Sequence, residues 1–140
     1  MNIHYFSEGI EFSLENTDEK SKWISSVIAD HHYDLEELNY IFCSDEYLLS
    51  INKQHLDHDY YTDIITFDNS EEDRKIESDI FISIDRVRDN AENEGHPFDK
   101  ELCRVMIHGV LHLLGFDDKS PEEKELMREK EDACLSLLKL

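Results

Sequence analysis

Residues 102–118 constrain the fold more than any other stretch. Leu102, Val105, Met106, Ile107, Val110, Leu111, Leu113 and Leu114 cover a helix nearly all round, and such a helix can be buried only in the middle of a domain. His108 and His112 interrupt that surface four residues apart, so a single turn carries both rings on one face. Gly115 follows, a residue that enters the left-handed conformation of a helix terminus without steric cost. The chain then reverses, and Asp117 and Asp118 can fold back toward the rings.

Two imidazoles on one turn and a carboxylate past a glycine form a three-ligand metal site of pattern H-x3-H-x5-D. Asp118 is read as the third ligand and Asp117 as its rival. Three protein ligands leave a position open for water, whose pKa a cation lowers toward neutrality. Metalloproteases also carry two helical histidines at this spacing, but their general base is a glutamate directly after the first. Here that position is Gly109, and the protease reading lacks its proton acceptor.

At 140 residues the chain reads as one domain with a proper core. It has no apolar N-terminal run behind basic residues and no stretch of membrane-spanning length, so it reads as cytoplasmic. Cys43, Cys103 and Cys134 form no C-x-x-C pair and read as reduced thiols. Fourteen basic residues against 34 acidic give a net charge of −20, which argues against non-specific affinity for nucleic acid. A nucleic-acid substrate would need a local patch, with Arg86, Arg88 and Arg104 as candidates, or the metal, or a partner.

Periodicity predicts a strand pair or one broken strand over 2–14, and a helix over 18–29 with Trp23, Ile24, Val27 and Ile28 inward. A strand at 38–43 follows, then a short helix at 45–55 capped by Ser44 or Asp45. Strands are expected at 62–68 and 79–83, separated by an acidic turn over 69–77. Ser83 caps a helix over 84–94, and Asp99 opens the central helix. Ser120, Pro121 and Glu123 stand at the cap, first and third positions of the last helix. The order predicts a single α+β domain: one sheet of about four strands, about five helices, and the metal site on the central helix.

The string His108-Gly-Val-Leu-His112-Leu-Leu-Gly-Phe-Asp117-Asp118 resembles the signature of the YbeY-type endoribonucleases, H-G-x-L-H-L-x-G-[YF]-D-H. It departs at the last position, where Asp118 stands for the third zinc-binding histidine. The resemblance extends along most of the chain. Thr62-Asp63-Ile-Ile-Thr66-Phe67 is similar to T-D-V-L-S-F, Asp79-Ile-Phe-Ile-Ser83 is similar to the G-D-I-x-I-S strand, and Met127 and Glu131 sit as in the family's last helix. A second departure is Leu56, where the family usually carries an arginine linked to activity.

The resemblance implies a metal-dependent endoribonuclease of rRNA maturation, acting near the 3′ end of the small-subunit rRNA. It implies one divalent ion, zinc before iron or others, on His108, His112 and Asp118. Single-stranded ribosomal RNA is the expected partner, with ribosomal proteins beside it, and neither membrane nor DNA. Asp117 is expected to support a ligand histidine from behind, and Arg104 to meet a phosphate or to pair with Glu101 or another acid. Thr62 and Asp63 would line the cleft, and His55 or His58 would supply the charge absent at Leu56. Two other readings stand beside this one: a non-enzymatic ribosome-assembly protein with a structural metal, and a hydrolase of small molecules.

Overall fold

Leu38, Tyr40 and Phe42 are buried in alternation with half-buried neighbours, the period-two pattern of a strand with one face on a core. They belong to β2 (Asp34–Cys43), the centre of the computed structural model, which describes residues 2–138. β2 pairs in parallel with β1 (Ile3–Glu8) on one side and with β4 (Lys75–Ser83) on the other. β3 (Ile64–Asp68) lies antiparallel on the outer edge of β4. The sheet order is β1-β2-β4-β3, and parallel pairing demands long crossovers.

Those crossovers carry the helices α1 (Thr17–Asp30) and α2 (Asp45–Leu56); α3 (Ile84–Glu94), α4 (Phe98–Leu113) and α5 (Pro121–Leu135) follow the last strand. The architecture is α+β, as expected, with four strands in a mixed sheet and five helices among the described residues. The main core lies between one sheet face and α1, α4 and α5. A smaller cluster of Cys43, Leu48 and Ile65 lies under α2 on the other face.

α4 is the buried helix of the design. Leu102, Met106, Ile107, Val110 and Leu111 are at most 1% exposed. The Tyr40 hydroxyl donates to the carbonyl of Met106 at 3.0 Å, and Trp23 Nε1 donates to the carbonyl of Cys134 at 2.8 Å. These bonds satisfy polar atoms that would otherwise be costly in a core and tie β2 to α4 and α1 to α5.

Gly109 explains how close α4 comes to the sheet. A Cβ there would stand 2.9 Å from Ile80 Cδ1, 3.0 Å from Ile64 Cδ1 and 3.3 Å from Thr66 Oγ1. The residue directly after His108 is a glycine because β3 and β4 fill the space of its side chain.

Some expected boundaries move. Residues 2–14 hold one strand; after Glu8 the chain leaves the sheet, and Phe12 packs edge-on against Phe42 and Phe98 with centroids 5.2 and 6.0 Å away. Its apolar side chains plug the core from a loop. The acidic turn is shorter than expected because β4 already begins at Lys75: Ile76 is 1% exposed, and Lys75 bridges Glu36 and Glu72 at 3.6 and 2.8 Å. β3 begins at Ile64, so Thr62 and Asp63 lie just before it. α4 begins at Phe98. Ser83 and Ser120 cap α3 and α5 as expected, the second in a full capping box with Glu123. On α5 the buried positions are Met127, Glu131, Cys134 and Leu135, while Leu126 and Ala133 face outward.

Candidate metal centre

α4 ends at Leu113, and Gly115, with φ +102°, turns the chain back. This reversal brings Asp118 under the two rings. Oδ2 of Asp118 lies 3.3 Å from Nε2 of His108, and Oδ1 lies 3.3 Å from Nε2 of His112. The rings are 4.8 Å apart, centroid to centroid. One donor atom from each residue falls within 4.8 Å of the others.

The residues fit a divalent ion. Ligand atoms at zinc distances sit roughly 3.4 Å from one another in a tetrahedron, close to the 3.3 Å gaps here. His108 donates its Nδ1–H to Oε2 of Glu131 at 2.7 Å, which leaves the Nε2 lone pair turned toward Asp118. Burial opposes protonation of His108, but Glu131, Asp118 and Asp63 outweigh it and hold its pKa above the ordinary value. A cation on Nε2 would take the place of that extra proton.

Glu131 is itself 5% exposed and is held by Arg104, whose Nη1 donates to Oε1 at 3.0 Å. The Nη2 of Arg104 donates to Asp132 at 2.7 Å. The Arg104 guanidinium, expected to meet a phosphate or to pair with Glu101 or another acid, is engaged by two acids of α5. Asp117, expected behind a ligand histidine, is exposed and makes no hydrogen bond or ion pair among the described residues. Glu131 holds that position instead. Its sequence signal was an acid in the buried stripe 127, 131, 134, 135, where helical spacing calls for an apolar residue.

Two cavities flank the triad. A groove of about 650 Å³ lies on the β3 side, where Tyr60, Thr62, Thr66, Asp68 and Leu113 join the three candidate ligands. A smaller cavity of about 290 Å³ lies on the α5 side, among Glu101, Arg104, Arg128 and Glu131. Asp63, Ile64, His108 and Asp118 border both. Burial raises the Asp63 carboxyl, with His108 and Arg86 pulling the other way. Glu101 rises further, to about 7, through burial first and then the Glu94 carboxylate that shares a hydrogen bond with it.

Thr62 and Asp63 thus lie in the groove wall. His55 does not: it is exposed near the end of α2, edge-on to Phe67 with centroids 5.9 Å apart, and borders neither cavity. His58 stacks on Tyr60, whose hydroxyl lies 3.0 Å from its Nδ1. Leu56 is 40% exposed. Of the expected basic patch, Arg86 is paired with Asp45 at 2.7 Å and Arg88 covers the Phe98 ring. Tyr60, Thr66 and Asp68 were not singled out as groove residues. Thr66 and Asp68 share the α4 side of β3 with Ile64 by strand alternation, and Tyr60 arrives from the preceding loop.

Comparison with known proteins shows the family. The family described as Endoribonuclease YbeY matches residues 3–139. A protein of that name from Cytophaga hutchinsonii is 56% identical over 98% of this chain and 96% of its own length. Another from Flavobacterium psychrophilum is 51% identical over 94% of each chain. A solution structure from Thermotoga maritima superposes with a TM-score of 0.68 at 27% identity, covering 96% of this chain and 87% of that one. With the match running through every strand and helix around the triad, the chain belongs to the YbeY endoribonuclease family.

Proposed function

We propose that this protein is a metal-dependent endoribonuclease that hydrolyses single-stranded RNA, with ribosomal RNA as its substrate, in the cytoplasm. Relatives named Endoribonuclease YbeY support the reaction class. The observation that carries the reading is the convergence of His108, His112 and Asp118 at the junction of two open cavities. Zinc on this triad would supply Lewis acidity for attack of water on a phosphodiester.

The chain's own residues supply the rest. Glu131 orients His108 and fixes its tautomer. Asp118 spans the two rings and balances the charge of the ion. Asp63 borders both cavities beside His108, and its raised pKa strengthens it as an acceptor of the proton that water loses. The groove on the β3 side, about 650 Å³, is bordered by exposed Tyr60, a surface on which a base of an unpaired strand can stack. No helix among the described residues is long and apolar enough to cross a membrane.

The test is cleavage of single-stranded RNA by zinc-loaded protein, with and without chelator, beside the His108→Ala/His112→Ala variant. Cleavage that needs both the metal and the histidines is expected. RNA left intact by the loaded wild type, with the metal still bound, would favour the assembly-protein reading.

A further inference from the structure

The smaller cavity holds an unusual set of side chains. Arg128 projects from the exposed side of α5 to its rim and makes no ion pair or hydrogen bond among the described residues. Arg104, the other arginine bordering the cavity among the described residues, is neutralised by Glu131 and Asp132. The Arg128 charge acts on Glu101 and Asp132 without a direct ion pair to either, so in a chain of net charge −20 its guanidinium, set beside His108 and Asp118, is the available anchor for a phosphate.

Behind Arg128, Glu101 and Arg104 are almost wholly buried, and Arg104 is held by its two acids, so Arg128 is the cation that the cavity presents to a ligand. The cavity, about 290 Å³, lies near the lower end of ligand-pocket volumes, ~300 Å³.

We propose that this cavity is a subsite flanking the scissile phosphate, with Arg128 holding an adjacent phosphate of the RNA strand. The inference rests on the endoribonuclease reading and adds to it. The RNA strand then crosses the triad: it lies along β3 on one side and enters the α4–α5 cavity on the other.

Short fluorescent single-stranded oligoribonucleotides test this, after the cleavage position has been mapped with the zinc-loaded wild type. Arg128→Gln should raise KM roughly tenfold with little change in kcat, metal content or melting temperature. The slope of log KM against log salt should fall by about 0.7, the loss of one phosphate contact on a single strand. Arg128→Lys should recover most of the affinity. Wild-type KM and salt slope in Arg128→Gln would overturn the subsite while leaving the nuclease reading intact. A loaded wild type that cleaves none of these RNAs would overturn both readings.

Discussion

Glu131 accepts the Nδ1 proton of His108 across 2.7 Å, and through this one contact the last helix governs a ligand on the central one. The same carboxylate takes Nη1 of Arg104 with its other oxygen at 3.0 Å, so neither oxygen is idle. Removing the bond to His108 should lower zinc affinity by about 10- to 100-fold. Glu131→Gln, which keeps the shape, should show the lower part of that range in competition with a chromophoric chelator. Glu131→Ala should in addition destabilise the fold by about 3 kcal/mol, because Arg104 loses its buried partner. Zinc affinity unchanged in both variants would mean that His108 is oriented by its packing alone.

Asp118 and Asp117 are adjacent in sequence and opposite in setting. Asp118→Ala should lose most of the bound metal, and Asp118→His should keep it, since a neutral imidazole is also a zinc ligand. Asp117→Ala should change metal content little. Elemental analysis of the purified variants separates the two, and a metal-free Asp117→Ala beside a loaded Asp118→Ala would exchange their roles.

Gly109 gains helix propensity on substitution by alanine, about 1 kcal/mol, but the new Cβ meets the ends of Ile80 and Ile64. Those tips can move, so Gly109→Ala should change stability by no more than about 1 kcal/mol. Gly109→Val adds a branch with no such room and should cost about 2 kcal/mol or more. Urea unfolding measures both. Equal stability of the two variants would show that α4 can lift from β3 and β4 at little cost.

Glu101 imposes a pH dependence on folding. Its folded pKa, about 7, lies above the ordinary value of 4.5 because burial and Glu94 oppose its charge. The folded state therefore holds a proton that the unfolded chain releases. This contribution to stability is complete below about pH 4.5 and is lost as the pH rises to about 7. Glu101→Gln should flatten that part of the stability profile and raise stability at pH 8 by on the order of 2 kcal/mol. Parallel profiles for variant and wild type would show that the Glu101 carboxyl titrates normally.

Asn52 is 1% exposed, and its Nδ2 donates to the carbonyl of Tyr60 at 2.9 Å while its own carbonyl accepts from the amide of His58 at 3.1 Å. It thereby holds the loop that brings Tyr60 to the groove. Asn52→Ala should cost about 1 kcal/mol and raise KM for RNA more than it lowers kcat. A fall in kcat alone would place the loop's effect at the chemical step.

What could be read before folding was what lies close together in the chain. His108, His112, Gly115 and Asp118 sit within one helix end and its turn, so spacing alone brings three donors together. The capping box of Ser120 and Glu123 is local in the same way. The pairing of β2 with both β1 and β4 is not, because parallel neighbours are joined through helices and leave no turn signature. Glu131 reaches His108 from a separate helix, and only its misplacement in an apolar stripe hinted at a buried partner. Phe12 shows the limit of periodicity: an alternating apolar pattern reports burial, and a loop can satisfy it as well as a strand. The reason for Gly109 lies wholly in Ile64, Thr66 and Ile80, which the helix meets only in three dimensions.

The position of Glu131 in the last helix also sets an order of events. During synthesis His108, His112 and Asp118 leave the ribosome before the residue that orients the first of them. A single domain folds as a unit, so the ring orientation that the metal needs arrives only with the packing of α5 on α4. A chain cut short before Glu131 would hold all three ligands and still lack the acceptor that orients the first of them.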